Sequence, residues 1–216
     1  FSDDFEGYPL NDWPSSNWTG FGGNDSDHSA NYIAEDPEDA TNKVFRLYGV
    51  IGSMWSAGAE REFALPDDFA ISLKVYNGGE SIPSNGHQVR ATLGSKSGTH
   101  WSNPGRGYFW FHKDGNLYAA DGLILQSYDT ERWYDMTVAF SRSQTDLTLH
   151  YWVDGIDLGS ISLLVDPAID DLQDHIELTA QAGSAYFDDI VVTPEPATLF
   201  LLGLGGLALR RKRRAK

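Results

Sequence analysis

Strict alternation of apolar and polar side chains is the feature that most limits what this chain can become. "FAISLKVYN" sets Phe69, Ile71, Leu73 and Val75 on one side and Ser72, Lys74 and Tyr76 on the other. "DLTLHYWVDG" sets Leu147, Leu149, Tyr151 and Val153 against Thr148, His150 and Trp152. "WYDMTVAFS" aligns Tyr134, Met136, Val138 and Phe140, and "HIELTAQAG" aligns Ile176, Leu178, Ala180 and Ala182. Successive side chains of an extended strand point to opposite faces, so a period of two buries one face and leaves the other to water. Between these stretches stand Asn77-Gly78-Gly79, Asn85-Gly86, Asp114-Gly115 and Asp154-Gly155, pairs suited to turns that need positive φ. The pattern predicts an all-β fold over residues 1–193, an antiparallel β-sandwich of jelly-roll type.

The end of the chain obeys a different rule. From Ala197 to Leu209 the 13 residues are apolar or glycine but for Thr198, and Arg210, Arg211, Lys212, Arg213, Arg214 and Lys216 follow. As a helix this run spans roughly 20 Å, against roughly 30 Å of bilayer hydrocarbon. Its basic end belongs on the cytoplasmic side by the positive-inside tendency, with the body outside. Pro194 and Pro196 keep a helix from running back into the sandwich. Residues 194–216 therefore read as a short hydrophobic helix separate from the sandwich and shorter than a permanent anchor, the alternative being a frayed C-terminus or a short buried helix.

This tail resembles the tripartite PEP-CTERM sorting signal of Gram-negative bacteria. Pro194, Glu195 and Pro196 match its motif, Leu199 to Leu209 its apolar part, and Arg210 to Arg214 its basic cluster. The resemblance implies recognition by an exosortase, a membrane transpeptidase, and delivery to the cell surface or the exopolysaccharide matrix. The chain opens on Phe1, which reads as a mature or trimmed form without its secretion leader.

Charge narrows the partners. Taking away the tail's six basic residues and Glu195 moves the formal charge from −15 to −20 for the body. Such a surface repels nucleic acid and attracts divalent cations. Cysteine is absent, so neither disulfides nor a thiolate site is available.

Near the end of the body, "ERWYDMTVAFSRSQTDLTLHYWVDGIDLGSI" resembles the closing strands of a laminin G-like or concanavalin A-like jelly roll, with Trp133, Tyr151, Val153, Asp154 and Gly155 in the matching places. Carbohydrate-binding jelly rolls often hold a structural calcium between their terminal strands. "SDDFEGY" and "YFDDIVV" supply candidate ligands, Glu6 and Asp188 first, Asp4 and Asp189 behind them. Alternation places Asp188 inward with Tyr186 and Ile190, where a cation would offset a lone buried carboxylate. "NDSDHS" (Asn24, Asp25, Asp27, His28) lacks the glycine and distal glutamate of an EF-hand loop and reads as a solvated loop.

"GYFWFHKDG" directs Phe109 and Phe111 to a core and Tyr108, Trp110 and His112 to the opposite face. On a concave sheet, with Arg90 and Trp101 beside them, these would form a carbohydrate-binding platform, aromatic rings stacking on sugars while polar groups bond hydroxyls. The competing reading is that the aromatics only finish the core. For catalysis, Glu60 and Glu62 in "AEREF" share a face, and Arg90, His112 and Tyr108 could form a lyase set. The Glu-x-Asp-x-x-Glu strand of concanavalin A-like glucanases is absent, as are a nucleophile elbow and a phosphate loop. A calcium-stabilised, polysaccharide-binding or matrix protein is therefore the first expectation. A polysaccharide-degrading glycosidase or lyase and a purely structural surface protein are the alternatives.

Overall fold

The computed structural model describes residues 1–22, 30–49, 57–63, 65–78, 89–98 and 105–194. Strands β1 (Ser2–Asp3), β2 (Thr19–Gly22), β3 (Tyr32–Glu35), β4 (Lys43–Gly49) and β5 (Ala57–Glu62) are followed by β6 (Asp68–Asn77), β7 (Val89–Lys96) and β8 (Gly105–His112). Then come β9 (Asn116–Ala119), β10 (Ile124–Ser127), β11 (Trp133–Arg142), β12 (Asp146–Val153) and β13 (Ile156–Leu164). A one-turn helix α1 (Pro167–Asp170) precedes β14 (His175–Ala180) and β15 (Gly183–Pro194).

The strands form two antiparallel sheets. One has the order β13-β12-β11-β6-β15-β4-β3, with β1 also on β15; the other runs β10-β9-β8-β7-β14-β5-β2. The expected pairing of the first and last strands is present, Ser2 opposite Val191 and Asp3 opposite Ile190. The alternating stretches became β6, β11, β12 and β14, and their apolar sets all lie buried between the sheets. Phe69 of β6 stacks on Phe140 of β11, with centroids 4.1 Å apart, and Tyr108 of the other sheet meets Phe140 edge-on at 4.3 Å. Each such side chain contributes about 1.5–3 kcal/mol when fully buried.

A second knot of the core comes from the N-terminal segment. Phe5, Trp13 and Trp18 pack around Phe45, and both indoles are satisfied: Trp13 Nε1 donates to the Trp18 carbonyl at 2.9 Å, Trp18 Nε1 to Asp3 Oδ2 at 3.0 Å. At the β12–β13 hairpin, Asp154 and Gly155 have φ of 53° and 74°, the paired positive values that their sequence predicts. At the β8–β9 hairpin only Gly115 turns positive, at 84°. The Asn85-Gly86 turn and the predicted C-terminal helix lie outside the described residues, and β15 extends to Pro194, opposite Phe69.

Candidate functional site

Cross-strand register assembles the outer face of the seven-stranded sheet row by row. Thr179, Thr92, Trp110 and Tyr118 stand side by side on β14, β7, β8 and β9. One step along, Glu60, Glu177, Gly94 and Gly107 form the next row, from β5 to β8. A third step brings Glu62, His175, Lys96 and Gly105 together.

The aromatic end of this face is ordered by its hairpin. Trp110 and Tyr118, paired across β8 and β9, lie parallel, 7° apart with centroids 5.8 Å apart, and His112 meets Tyr118 edge-on at 5.4 Å. The Tyr118 hydroxyl donates to Asp114 Oδ2 at 2.6 Å, and His112 Nδ1 lies 3.1 Å from Asp114 Oδ1. Burial pushes the Asp114 carboxyl up, but the bonds from Tyr118, Asn116 and His112 outweigh it and hold it at about 2. The same bond raises the Tyr118 hydroxyl. Asp114 therefore fixes both rings as a charged acceptor at neutral pH.

The other end of the face is ionic. Lys96 reaches over β14 to pair with Glu60, both side chains closed to solvent, while Glu177 Oε1 stands 3.9 Å from the same ammonium. Glu60 Oε1 accepts no hydrogen bond among the described residues. Glu177, 21 % exposed, is the member that opens outward. Burial raises its carboxyl, Lys96 pulls it back and Glu60 pushes it further up. Gly94 lies between this cluster and the rings. A Cβ there would sit 2.9 Å from the Arg106 carbonyl and 3.6 Å from Glu177 Oε2, so only glycine leaves this floor low. Two strand spacings across and one two-residue step along put Glu177 and Trp110 roughly 12 Å apart.

Of the expected platform, Trp110 and His112 share this face. Tyr108 does not. A bulge pairs Leu93 with Phe109 but Gly94 with Gly107, leaving Tyr108 as the extra residue. It turns into the core, 3 % exposed, where burial drives its hydroxyl far up. Arg90 is the extra residue of a second bulge, between Val89 and Ala91, and its guanidinium donates to the Gly78 carbonyl at 3.1 Å. The lyase set of Arg90, His112 and Tyr108 is therefore not assembled. Glu60 has Glu177 as its acidic neighbour; Glu62 is exposed one row away, opposite His175. Trp101 lies outside the described residues, as do Trp55 and the "NDSDHS" loop.

The acidic candidates divide between two places on the other sheet. Asp188, 3 % exposed, shares the outer face with Tyr186, not the interior. Phe187 takes the inward place, and Asp189, at φ 49°, opens a bulge that returns Ile190 inward. Burial pushes the Asp188 carboxyl up to about 6, against bonds from Asn42 Nδ2 at 3.0 Å and the Asp189 amide at 2.8 Å. The same Asn42 amide reaches Asp36 Oδ2 at 3.1 Å, and the next residue's N–H, Lys43, holds Glu6 Oε1 at 2.9 Å. Glu6 and Asp188 thus converge on the start of β4. The Asn42 amide nitrogen thus serves both carboxylates; turned over, Asn42 would offer its oxygen instead. Carboxylates and amide or main-chain oxygens are the donor set that calcium takes. Among the described residues, no three or more His, Asp or Glu close on one point. Asp4 and Asp189 instead line an open groove of about 520 Å³ with Asp3, Tyr8 and Asn17, and Asp189 is paired to Lys74 at 2.6 Å.

Sequence reading also passed over Ser160, His150 and Asp157, which are linked on the β12–β13 hairpin at 2.8 and 2.7 Å. With Asp157 61 % exposed, this chain of bonds lies open to water on the hairpin surface.

Comparison with known proteins agrees at both levels. Residues 192–214 match the family model described as the PEP-CTERM protein-sorting motif. No curated protein sequence matches the chain. Among solved structures, the endo-1,3-β-glucanase of Streptomyces sioyaensis superposes with a TM-score of 0.62 at 12 % identity, covering 91 % of this chain and 96 % of that one. The carbohydrate esterase of Shiga toxin-encoding bacteriophage phi24B gives 0.57 at 16 % identity, covering 84 % and 91 %. Lectin II of Ulex europaeus gives 0.53 at 13 %, covering 88 % and 98 %. Likeness at these identities establishes architecture alone: the body is a concanavalin A-like jelly roll, and a PEP-CTERM sorting motif begins at its last strand.

Proposed function

We propose that this is an exported bacterial surface protein whose jelly roll binds polysaccharide on the outer face of the seven-stranded sheet. One observation carries the reading. Trp110 and Tyr118 form a parallel pair on an outward face, outside the core between the sheets, with the Tyr118 hydroxyl held by Asp114. Aromatic rings at a partly exposed surface suit the C–H faces of sugars, and Thr92, Thr179, His112 and Glu177 offer bonds to hydroxyls. The glucanase, esterase and lectin likenesses support a carbohydrate role for the fold.

The tail supplies the address. The motif supports export, transient membrane insertion of the segment after Pro196, processing by an exosortase and release to the surface or matrix of a Gram-negative bacterium. The domain boundary after Thr193 belongs to the same proposal. A structural calcium held by Glu6 and Asp188, with Asn42 and Asp36 at hand, would stabilise the junction of the terminal strands. Asp4 and Asp189 belong to the neighbouring groove.

Hydrolysis of the bound chain is the second reading, favoured by Glu60 and Glu177 on adjacent strands. Directly opposed residues stand about 5 Å apart at Cβ, compatible with a retaining glycosidase. Glu60 lies closed behind Lys96, however, so of the two carboxyls Glu177 alone opens outward, and binding is the better supported reading. A glycan array probed with and without calcium tests the proposal. Retention that Trp110→Ala abolishes in a folded protein supports it, and retention unaffected by that change moves the site elsewhere.

A further inference from the structure

We infer that the ligand of this face is an uncharged polysaccharide, and that Glu177 is the residue that turns acidic ones away. The inference rests on the glycan reading above and narrows it to a chemical class. A polyuronate or sulfated chain presents an anion at nearly every sugar and needs Arg or Lys to receive it. The sequence permits a full account of those cations, because the body has ten Lys and Arg and none of them falls in residues 23–29, 50–56, 64, 79–88 or 99–104.

Five of the ten, Lys43, Arg46, Lys74, Arg132 and Arg142, belong to the eight-stranded sheet or the turn leading into it. Three of the rest leave the outer face of the seven-stranded sheet: Arg61 pairs with Asp3, Arg90 with the Gly78 carbonyl and Arg106 with Asp170. Lys96 is on the face, but it is closed to solvent and paired to Glu60. Lys113 sits in the β8–β9 turn, at the rim. Among the described residues, the face between the rings and the ionic cluster therefore offers hydroxyls, aromatic planes and a glycine floor, with Glu177 as the carboxylate in its middle, Asp114 behind the rings and Glu62 one row beyond.

Like charges placed together suppress a wrong ligand as effectively as good contacts favour the right one. An anionic sugar lying on Trp110 and Tyr118 would bring its neighbours over Gly94 and against Glu177. A neutral chain meets no such opposition, and its binding gains nothing from long-range attraction.

The test is titration of the full chain, in mild detergent, with laminarin (a neutral β-1,3-glucan) and alginate (a polyuronate), at low and high salt. The expected result is laminarin binding that salt leaves unchanged, alginate binding at least tenfold weaker, and a smaller gap in Glu177→Gln. Thr92→Lys, which adds a cation without touching the ionic cluster, should strengthen alginate binding. Alginate bound as tightly as laminarin overturns the inference while leaving the glycan reading standing. An alginate-to-laminarin ratio unmoved by Glu177→Gln removes Glu177 from the explanation. Binding of neither polymer overturns the glycan reading itself.

Discussion

Trp110 and Tyr118 are cross-strand neighbours whose rings lie 7° from parallel on a face that points away from the core. The β8–β9 hairpin sets that pairing, and Asp114 at its turn holds the Tyr118 hydroxyl. Removing Tyr118 should therefore damage the site without damaging the fold. Tyr118→Ala is expected to weaken glycan binding by at least tenfold, since stacking and its desolvation are lost together, with a melting temperature within a few degrees of the parent. Paired titration calorimetry and thermal melts check both halves.

Lys96 is the keystone of the ionic cluster. Lys96→Ala leaves Glu60 buried with no opposite charge, and breaking a buried pair on one side typically costs about 3–5 kcal/mol. The double change Lys96→Met with Glu60→Gln should restore much of that loss. Urea denaturation of the three proteins measures it, and a Lys96→Ala midpoint equal to the parent's would contradict the burial described.

Calcium should be felt through Asp188. In excess chelator the melting temperature is expected to fall by several degrees, because an ion bound only to the folded state stabilises it by mass action. Asp188→Asn and Glu6→Gln should each abolish that response. A chelator effect that survives both substitutions would place the ion elsewhere.

Without calcium, the sign of the Asp188 effect with pH is fixed by its raised carboxyl, about 6 in the fold against an ordinary 3.8. A group raised on folding contributes stability that is full below the ordinary value and lost as pH rises through the folded one. Asp188→Asn should therefore be more stable than the parent at about pH 7 and equal to it near pH 4, in chelator. Thermal melts across that range decide it, and a gap that widens toward acid would reverse the assignment.

A chain ending at Thr193 should fold and remain soluble, because Val192, 2 % exposed, is already bonded through its N–H and carbonyl to Phe1. Size-exclusion chromatography and circular dichroism test this; aggregation would move the boundary.

Much of the fold was legible because alternation determines which face a residue takes. β6, β11, β12 and β14 bury the side chains their pattern predicts, and the Asp154-Gly155 turn follows from its φ preference. Bulges defeated the same logic locally. One extra residue in β8 inverted Tyr108, another in β7 redirected Arg90, and the turn of Asp189 in β15 left Ile190 inward and Asp188 outward. Tyr118 was within reach, since the hairpin at Asp114-Gly115 sets it opposite Trp110. The Glu60, Lys96 and Glu177 cluster was not, because it joins three strands distant in sequence, and only register brings them together.

The most direct measurement is a crystal structure of the domain with a laminarin-derived oligosaccharide. The account predicts a sugar ring parallel to Trp110 and Tyr118, with the chain running over Gly94 toward Glu177. Clear density for the oligosaccharide on any other surface, with these two rings bare, would contradict it.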